Sequence, residues 1–246
     1  MLERAKSDKN LYYVDMHAHC AELKDLDKYR GEYLLVCVSD DLESSSAVLR
    51  LVESYEYVKP CIGVHPWVAH EFSARDVENS LRKLIDRVEC LGEVGLDKKF
   101  KPETFEKQLE IFNIFVNYAK EYDMVLNLHA AGAWDDVFHI VNSKNINKAY
   151  FHWYTGPLHL ADQIVGVGYF IGANPALLIQ EKHRVVLDYV SLENIITESD
   201  SPYYYRGLNL TPELVKEVVL YLSKRKGLHP LKVKEAIYEN FKKLFK

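Results

Sequence analysis

The sequence predicts a single-domain (β/α)8 barrel of the TIM type, an α/β fold spanning residues 1–246. Three observations carry that expectation. Eight short apolar runs alternate with segments of helical periodicity. The chain length is close to what eight βα units need as one domain. Imidazoles and carboxylates recur at the C-terminal ends of the runs, where a barrel carries its chemistry. A doubly wound sheet is the competing arrangement, and it explains that recurrence less well.

The first four strands are expected over 12–19 (YYVDMHAH), 33–39 (YLLVCVS), 58–65 (VKPCIGVH) and 89–96 (ECLGEVGL). The other four are expected over 125–129 (VLNLH), 148–153 (KAYFHW), 169–173 (YFIGA) and 194–198 (NIITE). Most are apolar nearly throughout, as parallel strands covered on both faces should be. A helix over 73–88 opens on Ser73, a capping residue, with Asp76 placed to close a capping box. The helix over 104–122 sets Leu109, Phe112, Phe115, Val116 and Ala119 on one stripe. Further helices are expected over 176–189, after Pro175, and over 211–226, where Thr211-Pro212 reads as N-cap and first helical residue. Shorter helical patterns lie at 22–30, 43–56, 134–143 and 158–165, and a closing helix over 233–246. No linker, repeat or charge block divides the chain.

Composition narrows the function classes. With 48% hydrophobic and 27% charged residues the chain is an ordinary globular protein. Its 31 basic and 36 acidic residues leave a net charge of −5, which argues against a generally basic nucleic-acid-binding face. Cys20, Cys37, Cys61 and Cys90 form no CxxC pair, so zinc-ribbon and thioredoxin readings fail. Cys37 and Cys61 lie in apolar runs and read as buried small hydrophobes, and the set suggests a reducing compartment. The N-terminus shows no apolar leader, and nowhere do 18 apolar residues run together. A cytoplasmic protein with no membrane anchor and no obligate protein partner is expected.

The strand ends hold the chemistry. Residues two apart on a strand share a face, so Asp15, His17 and His19 point together at the end of the first strand. His65 ends the third, and Glu93, Gly95 and Asp97 share a face at the end of the fourth. His129 and His152 stand at the ends of the fifth and sixth, and Glu198 ends the eighth with Asp200 just beyond it. Buried charges need partners, and so many at one barrel end call for a shared cation or a dense ion-pair network. Nitrogen and carboxylate donors without thiolate suit Zn²⁺, Mn²⁺, Fe²⁺ or a similar ion better than Ca²⁺. Six candidate ligands exceed one tetrahedral ion's need and point to two ions.

These pieces, in order, are DMHAH (15–19), GVHPW (63–67), GEVGLD (92–97), LH (128–129), FHWYTG (151–156), TESDSPYY (197–204) and NFKKLF (240–245). The set resembles the TatD-type metal-dependent deoxyribonucleases, a branch of the amidohydrolase-like TIM barrels. The resemblance implies that His17, His19 and Asp200 bind one divalent metal ion. Glu93 would bridge to a second ion, held also by His129 and His152. The ions would be Zn, Mn or Mg, and His65 would reach a substrate phosphate or an associated water. The implied reaction is phosphodiester hydrolysis of DNA ends or short single strands.

The chain departs from the family pattern at four places. Ala130-Ala131-Gly132 follow His129 where a polar pair with an arginine is usual. Trp153-Tyr154-Thr155-Gly156 replace Cys-Phe-Ser-Gly, Cys20-Ala21 replace Leu-Asp, and Phe241 replaces the threonine of the terminal motif. Metal binding is the conserved expectation, and substrate recognition is where this chain would differ.

Glu93 and Asp200 are the expected catalytic groups, with Asp200 placed to accept a proton from activated water. The bland reading of Asp200 is a turn residue before Ser201-Pro202. Asp15, Asp97 and Glu198 are expected behind the ligands, orienting imidazoles. Trp67, Trp134, Trp153, Tyr154 and 203–205 follow strands and should ring the mouth, with Trp153 and Tyr203 stacking substrate rings. Lys98, Lys99, Lys101 and Arg206 follow strands 4 and 8, and Lys98 and Arg206 would offset the missing arginine toward a DNA end or small anionic substrate. His70, His139, His159, His183 and His229 read as surface or packing residues. Two other functions fit the same residues: metal-dependent hydrolysis of a small cyclic amide, lactone or ester, and a non-catalytic metal-binding scaffold.

Overall fold

In a computed structural model, residues 11–246 are described. The stretch before them, read above as lacking an apolar leader, lies outside the described residues. Eight parallel strands follow one another in spatial order: β1 (Tyr13–Ala18), β2 (Tyr33–Cys37), β3 (Val58–Ile62), β4 (Cys90–Gly95), β5 (Val125–His129), β6 (Ala149–Phe151), β7 (Phe170–Ala173) and β8 (Ile195–Thr197). The chain just past β8 closes the barrel against β1. Ala18 and Ser201 form a parallel bridge. Asp200 N–H donates to His17 O (2.8 Å), and His19 N–H donates to Ser201 O (2.7 Å). Each predicted strand is present, shortened at one or both ends except for β5, which spans all of 125–129.

Helices α1 (Leu42–Val52), α2 (Ala74–Leu84), α3 (Phe105–Tyr122), α4 (Trp134–Ser143), α5 (Leu158–Gly166), α6 (Glu181–Tyr189), α7 (Val215–Lys226) and α8 (Pro230–Leu244) accompany the strands. Of the predicted stripe on α3, Phe112, Phe115, Val116 and Ala119 are inside, with Ile111 beside them, and Leu109 is half-buried at its start. Asn240 on α8 donates to Leu192 O and Ile195 O, both at 2.8 Å, and so holds the start of β8. The asparagine of the terminal motif thus braces the strand that leads to Asp200. No described helix is long and apolar enough to cross a membrane.

Several expected helices differ in form. The 22–30 pattern becomes two 3₁₀ turns, Cys20–Glu22 and Asp27–Tyr29. Its apolar residues Leu23, Leu26 and Tyr29, with Cys20 just before them, recur every three positions, which matches a 3₁₀ turn and not an α-helix. The 176–189 pattern breaks into a turn at Pro175–Leu178 and α6, with Gln180 extended between them. Before α7, Pro212–Leu214 form another 3₁₀ turn, and Thr211 makes no side-chain cap. Ser73 does cap α2, accepting from Asp76 N–H at 3.1 Å, but Asp76 binds the Ser73 hydroxyl and not its N–H. After the strand-8 segment, β9 (Tyr203–Tyr205) and β10 (Leu208–Leu210) form an antiparallel hairpin that alternation did not reveal.

The cysteine reading is corrected. Cys20 pairs with Cys37 (Cα–Cα 5.2 Å) and Cys61 with Cys90 (4.5 Å), so none is free among the described residues. Cys37 and Cys61 are buried as expected, and Cys20 and Cys90 with them, but as disulfides. Cys61 and Cys90 are register partners on β3 and β4. Cys20, in the 3₁₀ turn after β1, meets Cys37 at the end of β2, and strand register brings Cys61 to Cys90, across separations of 17 and 29 residues that chain spacing does not announce. The inference of a reducing compartment loses its support.

Candidate metal centre

Seven side chains converge past the C-terminal ends of the strands. Glu93, on β4, lies at their middle. Its Oε1 is 2.7 Å from His129 Nδ1 and 3.5 Å from His65 Nε2, and its Oε2 is 3.2 Å from His17 Nε2. Asp200 Oδ1 lies 3.4 Å from His19 Nε2 and 3.6 Å from His17 Nε2, with Oδ2 4.0 Å from His152 Nε2. Three sets have donor atoms within 4.8 Å of one another here: His17, His19 and Glu93; His17, His152 and Asp200; and His65, Glu93 and His129. The predicted ligands are therefore brought together in one cleft.

Local backbone makes this possible. Gly95 has φ 149°, and a Cβ there would stand 1.8 Å from His129 O. Its absence lets β4 press against β5 at the point where Glu93 meets His129. Asp200 and Trp153 both adopt left-handed backbone (φ 58° and 40°), conformations that a non-glycine residue holds only when its surroundings demand it.

The far nitrogen of each candidate ligand is engaged. His17 Nδ1 meets Asn127 Oδ1 (2.9 Å), His19 Nδ1 meets Asp40 Oδ2 (3.1 Å), His129 Nε2 meets Asp97 Oδ2 (3.0 Å) and His152 Nδ1 meets Glu198 Oε2 (3.0 Å). Carboxylates only accept, so three of those nitrogens carry the proton. Asn127 spends its NH₂ on Met16 O (2.9 Å), which leaves its oxygen to accept from His17. In the neutral rings the lone pairs then face the cleft, which is what a metal ligand needs. His17 Nε2 is buried and makes no hydrogen bond. That orphaned nitrogen beside two carboxylates, in an all-imidazole and carboxylate donor set, fits a divalent metal ion.

The groups behind the ligands divide the work. Asp97 also accepts from Trp67 Nε1–H (2.6 Å) and from the N–H groups of Lys99 and Phe100 (2.8 and 2.7 Å). Burial opposes its charge, but His129 and these donors outweigh it and hold Asp97 down at about 2. Glu198 takes the Tyr150 hydroxyl, Trp153 N–H (3.0 Å) and Asn174 Nδ2–H (3.1 Å). Burial likewise opposes its charge, yet His152 and the other partners bring it to about 2. Asp15 touches no ligand ring. It accepts from the main-chain N–H groups of His17 (3.2 Å) and Ser199 (2.8 Å), pinning β1 to the strand-8 loop, and burial pushes it up to about 7.

The cleft's charge balance has a consequence. Burial works against charged His17 and His129, but Glu93, with Asp200 or Asp97, outweighs it and lifts each to about 9. At pH 7.5 the metal-free rings therefore carry protons that a ligand must lose. We expect metal uptake to release protons and apparent affinity to rise as pH increases toward 9. Calorimetric titrations in buffers of different ionisation enthalpy measure this, and a buffer-independent heat would contradict it.

Around the mouth the predicted residues are divided. Trp67 is partly exposed and stacks edge-on with Phe100 (5.9 Å), an exposed ring that the sequence reading passed over. Trp153 packs against Tyr205 (4.8 Å) and Tyr203 (6.3 Å). Gln180 links Trp153 Nε1–H (2.8 Å) to the Tyr205 hydroxyl (3.2 Å). Tyr154 is fully buried against Trp134 (4.7 Å), so this pair packs a loop. Arg206 lies over the Tyr205 ring, and Lys98 is held by Asp136 at 2.7 Å. His183 proves to be a packing residue, bonded to Asn174 N–H and Tyr154 O. Asp40, Asn127 and Asn174 were not singled out by the sequence; the signal for Asn127 and Asn174 was a lone polar residue at or just after an apolar strand, and Asp40 lay in a polar run after β2.

The sequence pattern of the family described as TatD related DNase matches residues 14–246. An uncharacterized metal-dependent hydrolase of Methanocaldococcus jannaschii is 29% identical, covering 97% of this chain and 98% of its own length. The human deoxyribonuclease TATDN3 is 26% identical, covering 94% of each chain. The crystal structure of the TatD homologue YjjV from Escherichia coli superposes with a TM-score of 0.85 at 23% identity, over 95% of this chain and 97% of that one.

Proposed function

The chain belongs to the TatD related DNase family, and from that premise we propose that it is a binuclear metal-dependent phosphodiesterase acting on DNA ends or short single strands. The observation that carries the reading is the set of four imidazoles whose outer nitrogens are bonded to Asn127, Asp40, Asp97 and Glu198, turning their inner nitrogens toward Glu93 and Asp200. His17, His19 and Asp200 would hold one ion and His129 and His152 the second, with Glu93 between them; Zn²⁺, Mn²⁺ and Mg²⁺ are the candidates. Divalent ions there supply Lewis acidity, which makes water a usable nucleophile near neutral pH and offsets charge developing on a phosphate oxygen.

The protein's own groups do the rest. Asp200 accepts the proton of the attacking water as the new P–O bond forms, and returns it to the leaving oxygen as the old one breaks. His65 Nδ1 accepts Trp67 N–H at 3.2 Å, so its neutral ring carries the proton on Nε2, facing the cleft. Burial keeps His65 below the usual imidazole range despite Glu93. It therefore donates a hydrogen bond to a non-bridging phosphate oxygen. Trp153 and Tyr203 stack bases, worth about 1–3 kcal/mol each. Arg206 adds positive charge, and Lys98 joins it by exchanging Asp136 for phosphate. The net charge of −5 disfavours salt-driven tracking along a duplex, which points to ends and single strands.

End-labelled oligonucleotides test this with protein loaded with each metal in turn. We expect nucleotide release from single strands, abolished by EDTA and slower on duplex. Hydrolysis of small cyclic amides or lactones by a loaded protein that leaves DNA intact would replace this reading with the second one. The feature favouring that second reading is Ala130-Ala131 after His129, which leaves no guanidinium on strand 5.

A further inference from the structure

Asp40 stands in the loop after β2, a strand that contributes no candidate ligand. Its Oδ2 is 3.1 Å from His19 Nδ1, and its main-chain oxygen accepts His65 N–H at 2.8 Å. Its own N–H donates to Ser44 Oγ at 3.0 Å. Ser44 is the third residue of α1 and closes the capping box with Asp41, accepting Asp41 N–H (2.9 Å) and donating its N–H to Asp41 Oδ1 (2.7 Å). Asp40 is thus clamped at the start of a helix while its carboxylate and carbonyl reach two different site histidines. We infer that Asp40 is a positioning residue of the metal centre, aiming His19 Nε2 into the cleft through its carboxylate and setting the place of His65 through its carbonyl. The inference rests on the metal-hydrolase reading above.

This support differs from the other three. Asn127, Asp97 and Glu198 are fully buried, whereas the Asp40 side chain is 36% exposed. His19 is correspondingly the most open of the four ligand rings, with a side chain 16% exposed against 0% for His17, 12% for His129 and 7% for His152. A metal position that depends on His19 is therefore the one whose orientation can be lost without disturbing the core. Removing a partner behind a ligating imidazole typically weakens metal binding about 10–100-fold. Asparagine keeps an oxygen acceptor at the same place, so it should preserve most of the orientation.

The test titrates metal-free wild-type, Asp40→Ala and Asp40→Asn proteins with Zn²⁺ or Mn²⁺ against a competing chelator. Thermal midpoints of the metal-free forms are measured alongside. The expected result is two metal equivalents throughout, with one bound about 10–100-fold more weakly in Asp40→Ala and within a few-fold of wild type in Asp40→Asn. Unchanged affinities in Asp40→Ala overturn the inference alone, as does a fall in thermal midpoint with affinities intact, which is the mark of a purely structural role. A third equivalent in wild type that disappears in Asp40→Ala also overturns it, since Asp40 with His19 and Glu22 would then be a ligand set in its own right. Wild-type protein that takes up no metal removes the underlying reading, and this inference falls with it.

Discussion

Glu93→Gln is expected to lower kcat/KM by about 10³–10⁴-fold, as much as losing a general acid–base group costs at its upper end. The reason is the number of groups that depend on one carboxylate. Five imidazoles have a ring nitrogen within 4.0 Å of it: His17 at 3.2 Å, His65 at 3.5 Å, His129 at 2.7 Å, His19 at 3.9 Å and His152 at 4.0 Å. An amide removes the negative charge and turns one acceptor into a donor aimed at those rings. Without that charge, burial weighs more heavily on His17 and His129, and only Asp200 and Asp97 remain to hold their protons. Metal stoichiometry should fall below two at concentrations that saturate the wild type. Metal analysis and steady-state rates on the same sample measure both, and a variant with wild-type turnover would put Glu93 outside the chemistry.

Asp200→Asn should show a different signature. We expect kcat to fall about 10²–10⁴-fold with KM changed little. Asp200 sits in left-handed backbone at φ 58°, tied by its N–H to His17 O at 2.8 Å. The neighbouring Ser199 and Ser201 hydroxyls are joined at 2.6 Å, and Ser199 Oγ donates to Asp15 at 2.6 Å. The backbone is therefore held independently of the Asp200 carboxyl group, and the amide should occupy the same place. An asparagine oxygen can still approach the ion, while the group can no longer take a proton. Retained metal with a lost kcat marks a proton acceptor. A raised KM with kcat intact would make Asp200 only a binding residue.

The candidate ligands were legible because alternation along a strand is local. His17 and His19 must share a face once 12–19 is a strand, and the same holds for Glu93, Gly95 and Asp97. The tight approach at Gly95, where a Cβ would stand 1.8 Å from His129 O, needed the neighbouring strand to be seen. Lys98 and Tyr154 show the limit of that reading. Their positions after strands were correct, but Asp136, 38 residues on, engages the lysine, and Trp134 buries the tyrosine. The hairpin at 203–210 was harder to read, because its first strand is three tyrosines with no apolar–polar alternation and each strand is only three residues long.

The sequence by itself determined a lean α/β barrel, the order of its strands and the identity of the residues that gather at one end. Those follow from periodicities of two and 3.6 residues, which each segment expresses without help from the rest of the chain. Tertiary structure alone decided which nitrogen of each imidazole faces the cleft, because the deciding partner comes from another strand or loop: Asn127 is 110 residues from His17, and Glu198 is 46 from His152. It also decided that the cysteines pair, since register between neighbouring strands, and not spacing along the chain, brings Cys61 beside Cys90. Hydrogen bonds and disulfides are short-range in space and long-range in sequence, so they become visible only when the barrel is closed.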